Sequence, residues 1–166
     1  MTDISYSGAT KTTGVEKQMS KKIPKRQVAA WALWDWASAA FNAVITTFVF
    51  TVYLTSDYFV DPAVVAAKTS DPAAYDLAVA ALSSGLALAL TVAGVFVALL
   101  APVMGQRSDS SGHRKLWLGI NTAVVVMVTA LLFFVQGSPI FFVYGVVLIA
   151  IGNVFFEIAS VNYNAM

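Results

Sequence analysis

Four long apolar stretches constrain this chain more than any other feature of its sequence. They cover residues about 28–54, 77–104, 116–135 and 140–162, and each can cross a bilayer as a helix, for which about 20 residues suffice. Hydrophobic residues make up 58% of the chain and charged residues only 11%, whereas soluble domains average about 25% charged residues. The sequence therefore predicts an all-α membrane protein with four transmembrane helices, numbered 1 to 4 in chain order.

The region before helix 1 has a different character. Residues 1–27 are polar and rich in Ser, Thr and Lys, and they lack apolar periodicity, which predicts a disordered tail. Helix 1 is much longer than the apolar core of a signal peptide, about 7–15 residues, and it contains Asp35. We therefore expect a tail over 1–27 and a transmembrane domain over 28–166.

Basic residues mark one side of the predicted membrane. The tail and the segment 105–115 hold nine of the ten Lys and Arg residues, and Lys68 is the tenth. The positive-inside rule then places the tail and 105–115 in the cytoplasm and the loop before helix 2 outside. We expect a multi-pass protein of the plasma or inner membrane, or of the vacuolar membrane in a fungal cell. Because the basic residues serve as topological markers, no nucleic-acid partner is expected.

Helices 1 and 4 each carry a polar stripe. Two sets of polar residues recur at spacings of three and four: Asp35, Ser38, Asn42 and Thr46 in helix 1, and Asn153, Glu157, Ser160 and Asn164 in helix 4. Such spacing places the members of each set on one helical face. A polar stripe on an apolar helix is expected to face the bundle interior or a watery cavity. Asp35, Ser38, Asn42, Asn153 and Glu157 are therefore candidates for a substrate or proton path.

A less specific interpretation of these polar residues stays open. Asp35 and Glu157 each lie near the cytoplasmic end of their helix, where a carboxylate can simply contact interfacial water. Asn42 and Asn153 are more central and can bridge neighbouring helices without any role in transport.

The segment between helices 2 and 3 is short, polar and basic. Gly105 and Gly112 bracket it, which predicts a tight loop that lays helices 2 and 3 side by side and antiparallel. Together with Asp109, Arg114 and Lys115, these glycines form a candidate gating loop, although Asp109 can also be read as a solvated loop charge. Before helix 2, Asp61 and Asp71 each precede a proline, as a helix N-cap does, and predict a short surface helix there.

Three of these motifs resemble one transporter family. The spacing of Gly105, Asp109, Gly112 and Arg114 resembles the signature loop after the second helix of major facilitator superfamily transporters, although Ser110 replaces a usual basic residue. Residues 31–41, WALWDWASAAF, resemble the first helix of the branch that contains fungal vacuole effluxers and their bacterial relatives. Residues 153–157, NVFFE, with 163–165, are similar to the fourth helix of that branch.

This resemblance implies a fold and a mode of action. Members have about twelve helices in two six-helix halves and work by alternating access, often coupled to protons, and the fungal members are associated with amino-acid efflux. The chain would then be a fragment that supplies four helices of one half. Its expected partners are the lipid bilayer, a small solute such as an amino acid, protons, and the missing C-terminal helices of the same transporter. Asp109 and Arg114 would hold the cytoplasmic side closed through charge contacts with the other half.

Enzyme chemistry finds no support in the residues. The chain has no cysteine and one histidine, His113, and it shows no phosphate-binding loop, nucleophile–base pair or metal-ligand spacing. We therefore expect no enzymatic activity, no cofactor and no metal. The alternative to a transporter is a self-contained four-helix membrane protein with a structural or assembly role. Further hydrophobic spans encoded downstream of Met166 would distinguish a transporter from it.

The predicted orientation is testable because the chain contains no cysteine. A single cysteine at Ser70 should react with an impermeant maleimide in intact cells, since the positive-inside rule places it outside. A single cysteine at Ser111 should react only after permeabilisation. The reverse labelling pattern would overturn the orientation and the cytoplasmic placement of the gating loop.

Overall fold

The computed structural model describes residues 24–164, apart from the side chains of Asp109 and Ser111. The chain divides into two compact units, Met1–Ser38 and Ala39–Met166, which are described separately. Residues 24–164 form helices and turns and contain no β-strand. Four of the helices are long and apolar enough to cross a membrane. The predicted all-α class with four spanning helices is therefore confirmed.

The four helices differ from their predicted bounds at the ends. They comprise Lys25–Leu54, Pro72–Ser111, Arg114–Leu132 and Pro139–Asn164. Residues 25–27 were expected in the tail but are helical, since Lys, Arg and Gln are good helix formers. The rest of the predicted tail, 1–23, lies outside the described residues. Helix 3 ends three residues early, because the 133–135 amides donate to carbonyls three positions back in a final turn.

Both predicted aspartate caps are present. An Asp61 carboxylate oxygen accepts a hydrogen bond from the Ala63 amide at 2.8 Å and begins a short helix, Pro62–Ala66. Asp71 accepts from the Ala74 amide at 3.1 Å. This second cap begins helix 2 itself, at Pro72. An aspartate cap provides an acceptor for one of the free amides at a helix start, and a proline after it has no N–H that would need one. Helix 2 can therefore start at Pro72, five residues before the predicted position 77.

Helix 1 changes its winding after Ala40. Residues Phe41–Phe50 form a π-helix, and Thr51–Leu54 return to α-helix. Threonine hydroxyls in this region donate to carbonyls five residues back, Thr47 to Asn42 at 3.0 Å and Thr51 to Thr46 at 2.6 Å. Residues five apart therefore stack in this segment, whereas the predicted stripe assumed α-helical spacing. Thr47, rather than Thr46, follows Asn42 along the helix.

Helix 4 lies between helices 2 and 3. Both of them pack extensively against helix 4 and only sparsely against each other. The expectation that the 105–115 segment lays helices 2 and 3 side by side is therefore wrong. Glycines lie at both contacts. A Cβ added at Gly152 would lie 3.2 Å from Cγ1 of Val128 on helix 3, and one added at Gly105 of helix 2 would lie 3.5 Å from Cγ1 of Val161 on helix 4. Such small residues let helices approach closely, and packing at close approach is a main attraction between helices in lipid.

The segment between helices 1 and 2 is folded against helix 4. Leu54, Phe59 and Val60 are buried, and the Phe59 ring contacts Tyr53 and Phe142 at centroid distances of 5.0 and 6.2 Å. A polar contact lies at the exposed side of the same segment. Tyr75 donates its hydroxyl to Asp57.

Lys68 completes this surface contact. Its ammonium lies 3.5 Å from the Asp57 carboxylate and 4.0 Å from the centre of the Tyr75 ring. The Tyr75 hydrogen bond, aided by the Lys68 charge, holds the pKa of Asp57 below its usual value of 3.8. The same two partners raise the pKa of Lys68, with Tyr75 as the larger cause.

Gly145 allows Leu54 of helix 1 to pack closely against helix 4. A Cβ atom at this position would lie 2.8 Å from Cδ2 of Leu54 and 3.4 Å from Cγ1 of Val135. Gly145→Ala should lower the free energy of unfolding by about 1–3 kcal/mol, since overpacking forces buried neighbours to shift. Titration with dodecyl sulfate in mixed micelles, followed by circular dichroism, measures this loss.

Gly94 in helix 2 provides the matched control. No atom lies within 4 Å of a Cβ added there. Gly94→Ala should leave stability unchanged or raise it by up to about 1 kcal/mol, because alanine favours helix more than glycine does. Equal destabilisation by both substitutions would contradict the packing role of Gly145.

The contact at Asp57 predicts a pH dependence. Because its pKa is depressed in the folded protein, the stabilisation from Asp57 is present above the ordinary value of 3.8 and is lost as the pH falls through the depressed value. Tyr75→Phe should raise the Asp57 pKa toward 3.8, and Lys68→Gln should raise it less. Carboxyl-detected NMR titration, with Asp57→Asn to assign the resonance, measures both shifts. An unchanged pKa in Tyr75→Phe would contradict the assignment of the main cause.

Candidate functional site

Asp35 and Ser38 belong to the first unit. Ser38 donates its hydroxyl to the backbone carbonyl of Asp35 at 2.8 Å, a local bond within the helix. The Asp35 side chain is exposed, and no group among residues 24–164 forms a hydrogen bond or ion pair with its carboxylate. Asp35 is therefore available to water or to a partner from outside the described residues.

In the second unit, helices 1 and 4 meet through aromatic and glycine residues. The rings of Phe41 and Phe156 lie 5.3 Å apart between centroids. One turn earlier on helix 4, a Cβ added at Gly152 would lie 3.5 Å from Cζ of Phe41. Three of the predicted path residues directly follow these contact residues in sequence: Asn42 follows Phe41, Asn153 follows Gly152, and Glu157 follows Phe156.

Helix direction decides on which side of this contact the polar residues lie. Helix 1 and helix 4 run in opposite directions, because they are the first and fourth crossings of a multi-pass chain. The next residue along an α-helix is turned by about 100° around the axis, and by somewhat less in the wider π-helix that begins at Phe41. In a pair of antiparallel helices, this turn leads toward the same side of the contact from both helices. Asn42, Asn153 and Glu157 therefore lie along one side of the Phe41–Phe156 contact, which we call the polar flank.

The polar flank is open and without internal partners. Asn42 is exposed, and Asn153 and Glu157 are half-buried. No hydrogen bond or ion pair joins any of these three side chains to another group among residues 24–164. Polar groups without partners cost several kcal/mol in the hydrocarbon region. The polar flank must therefore face water, a ligand or polar groups from outside the described residues.

The π-helical segment begins at this flank. Asn42 is its second residue, and the Asn42 carbonyl accepts the Thr47 hydroxyl at 3.0 Å. Thr46, which precedes Thr47, donates its hydroxyl to the Phe41 carbonyl at 3.4 Å. The hydroxyls of both threonines are therefore used within their own helix. The Asn42 side-chain amide has no such bond and can interact with other groups. Sequence periodicity could not show this change of winding, and π-helical turns frequently occur at functional sites.

The candidate gating loop is mostly helix, which corrects the predicted loop over 105–115. Helix 2 continues through Gly105 to Ser111, and within it the Ser108 and Ser110 hydroxyls donate to carbonyls three residues back, at 2.9 and 3.2 Å. Gly105 is a packing residue, since a Cβ added there would lie 3.5 Å from Cγ1 of Val161. Only Gly112, with φ of 66°, adopts the left-handed conformation that ends the helix.

The charged residues of this segment lie on both sides of the Gly112 turn. Arg114 and Lys115 are in the first turn of helix 3, where Arg114 is half-buried and Lys115 is exposed. Asp109 lies in the last turn of helix 2, and its side chain is outside the described residues. The turn therefore joins the two helix ends, and the predicted gating residues lie on those ends rather than in a loop.

Three polar residues of the described part of the chain are buried and were not among the predicted site residues. They are Ser108, Asn121 and Asn162, with at most 2% of their surface exposed. Asn121 donates to the Trp117 carbonyl at 2.7 Å, and Asn162 to the Ile158 carbonyl at 3.0 Å. The Asn162 side-chain oxygen has no hydrogen-bond partner among the described residues. Helical periodicity could have placed Asn121 on the face of helix 3 that packs inward, since Val125, Val128 and Leu132 continue that face.

No metal site is formed by the described residues, which contain no group of three or more His, Cys, Asp or Glu side chains able to hold an ion. The polar flank has one carboxylate and two amides, and the turn at Gly112 has neighbouring basic groups. The chemistry that these side chains can perform is hydrogen bonding, proton binding and charge pairing.

The chain is similar in sequence to a known membrane transporter. Over 122 residues, 72% of its length, the chain is 30% identical to the uncharacterised MFS-type transporter YxiO of Bacillus subtilis (strain 168). The chain spans 24% of the length of that relative. No family model matches the chain, and no solved structure matches it at a significant level. The chain is therefore similar, over part of the relative's length, to a transporter of the major facilitator superfamily, and its four long apolar helices indicate an integral, multi-pass membrane protein.

Proposed function

We propose that this chain forms part of a major facilitator transporter that moves a small solute across the membrane by alternating access. Similarity to an MFS-type transporter supports transport in general terms. The polar flank of Asn42, Asn153 and Glu157 carries the more specific proposal. Three unpartnered polar side chains on one side of a helix pair are suited to a hydrated solute path.

The polar flank weighs against a purely structural role. Polar residues that only join helices should find partners inside the protein, as Asn121 and Ser108 do through backbone carbonyls. The side chains of Asn42, Asn153 and Glu157 have none among residues 24–164. A self-contained four-helix protein would expose this set to lipid at a cost of several kcal/mol, without any compensating function.

The two acids within the spans are proposed to act in transport. At least one of Asp35 and Glu157 carries a proton or contacts the substrate, because a carboxylate can bind a proton on one side and release it when its hydration changes. Resemblance to the vacuole effluxer branch makes amino acids the first solutes to test. The remaining helices of the transporter would cover the polar flank and complete the path.

The Gly112 turn is proposed as part of the gate. Arg114, Lys115 and Asp109 lie at the two helix ends that this turn joins, with Gly105 one or two turns deeper in helix 2. In the proposed transporter, these charges pair with the other half when that side is closed. Loss of one partner from a partly buried pair leaves an unpaired charge, which is why such contacts can stabilise one state of a transporter.

Transport by the full-length polypeptide that carries this chain tests the proposal. Proteoliposomes with a pH gradient should accumulate a solute from a pool of ¹⁴C-labelled amino acids. Asp35→Asn and Glu157→Gln are tested separately. At least one of them should lose accumulation driven by the pH gradient while keeping exchange, since exchange does not require net proton movement.

Thr91→Val is the control, because Thr91 is an exposed polar residue of helix 2 whose hydroxyl bonds within its own helix, to the Ala87 carbonyl. It should transport like the wild type. Normal accumulation by both acid variants would contradict the proposed roles of Asp35 and Glu157. Absence of solute movement in the wild type, with any solute of the pool and in either direction, would contradict the proposed transport of amino acids.

A further inference from the structure

An open groove runs along helices 2 and 4 within the spans, between Gly85 and Leu100 on one helix and between Val147 and Phe155 on the other. We call it the apolar groove, because every described residue that lines it is apolar and none belongs to the polar flank. Its volume is about 470 Å³, within the range of about 300–1,000 Å³ that is usual for pockets of small organic ligands. The groove offers no partner to a polar solute and therefore suits a hydrocarbon.

The shape of the apolar groove suits a flexible chain better than a helix. Its less exposed lining residues include small ones, whereas large side chains of both helices are exposed along it: Gly85, Ala89 and Ala93 are in the first group, and Leu88, Phe96 and Ile151 in the second. Helix contacts in lipid favour small residues at the surface where two helices meet, and a helix with its side chains is about 10–12 Å across. Large exposed side chains hold such a body away, but an acyl chain can lie between them.

A cation lies beyond one end of the apolar groove, on the same face of helix 2. Phe96, Leu100, Val103 and Arg107 follow one another at spacings of four, three and four residues, and all four are exposed. Such spacing places them on one helical face. Arg107 is about 10 Å beyond Leu100 along the helix axis. No hydrogen bond or ion pair joins its guanidinium to another group among residues 24–164, so this charge is available to an external anion.

We propose that the apolar groove and Arg107 together bind an anionic phospholipid, with one acyl chain in the groove and the phosphate at Arg107. A phospholipid joins a hydrocarbon chain to an anionic group at the membrane surface, and groove and cation follow one another along helix 2 in the same way. Arginine pairs with phosphate through a planar fork of charged N–H donors. Under the predicted orientation, this end of helix 2 lies in the cytoplasmic leaflet, whose surface potential is negative. The site is separate from the proposed solute path.

Other occupants fit this arrangement less well. A helix from elsewhere in the polypeptide could cover the apolar groove, but it would need no cation at the end of it. A zwitterionic phospholipid could fill the groove with an acyl chain, but its own cation competes with Arg107 for the phosphate. An anionic phospholipid uses both the apolar surface and the free charge, and for this reason we select it.

Photo-crosslinking of the full-length polypeptide that carries this chain tests the proposal. Nanodiscs of phosphatidylcholine contain a trace of either phosphatidylglycerol or phosphatidylcholine with a diazirine in one acyl chain. After irradiation, mass spectrometry of peptides measures the labelling of residues 85–100 and 147–155. Phosphatidylglycerol should label these two segments about threefold to tenfold more than phosphatidylcholine does, the effect expected of one basic residue near an anionic headgroup.

Substitutions of the cation test its part in this preference. Arg107→Gln should lower labelling by phosphatidylglycerol to the level of phosphatidylcholine. Arg107→Lys should keep part of the difference, because the charge remains but the planar fork is lost. Lys68→Gln is the control, since it removes an exposed cation of the segment between helices 1 and 2, and it should leave the labelling unchanged.

Substitutions on helix 2 test the apolar groove itself. Ala89→Leu places a larger side chain in the groove and should lower labelling of both segments by both lipids. Ala87→Leu adds the same volume at an exposed position that does not line the groove, and it should label like the wild type. Thermal unfolding of each variant in nanodiscs verifies that the protein is folded.

Three results would overturn the proposal. They are equal labelling of the two segments by both lipids in the wild type, a preference for phosphatidylglycerol that survives Arg107→Gln, and absence of labelling by either lipid. The last result would show that another part of the polypeptide covers the apolar groove. None of these measurements requires solute movement, so they leave the proposed transport function to be decided by the proteoliposome experiment.

Discussion

The hydrocarbon interior offers no hydrogen bonds, and the rest of this structure depends on that constraint. Hydroxyl and amide side chains within the spans mostly bond to their own helix. Ser83, Thr91 and Thr129 donate to carbonyls four residues back, at distances of 3.1, 2.8 and 2.8 Å. Asn121 and Asn162 do the same from buried positions. Against this background, unpartnered polar groups within the spans mark a place where something other than lipid is present.

Packing around helix 4 determines which polar side chains in the spans remain uncovered by the described residues. Helix 4 has ten buried residues, whereas Leu54 is the one buried residue from Ala39 to the end of helix 1. Helices 2 and 3 pack against helix 4, and Gly152 and Phe156 of helix 4 lie next to Phe41 of helix 1. The described residues therefore cover little of this part of helix 1. The polar flank lies along the edge of this lightly packed helix.

The second half of helix 1 satisfies its own backbone within a wider winding. Phe41–Phe50 are π-helical, and threonine hydroxyls there donate to carbonyls five residues back. The segment between helices 1 and 2 is instead held by distant contacts: Phe59 is buried, and Asp57 accepts a hydrogen bond from Tyr75.

Much of the local structure could be predicted from the sequence. The spans follow from runs of apolar residues, and the caps at Asp61 and Asp71 follow from an acceptor placed before proline, because both depend on residues close in the chain. The acids and amides of helices 1 and 4 were also identified as candidates, although their roles remain proposals. The orientation of the chain rests on its basic residues alone and also remains a prediction.

Features that depend on residues far apart in the sequence were decided by the tertiary structure. A glycine can end a helix or permit close packing, and only the contact with Val161 shows that Gly105 does the second while Gly112 does the first. The central place of helix 4 depends on which small surfaces meet, and α-helical periodicity cannot report the π-helical winding after Ala40. The polar flank likewise required the Phe41–Phe156 contact, since sequence spacing defines a face on each helix but not which faces meet.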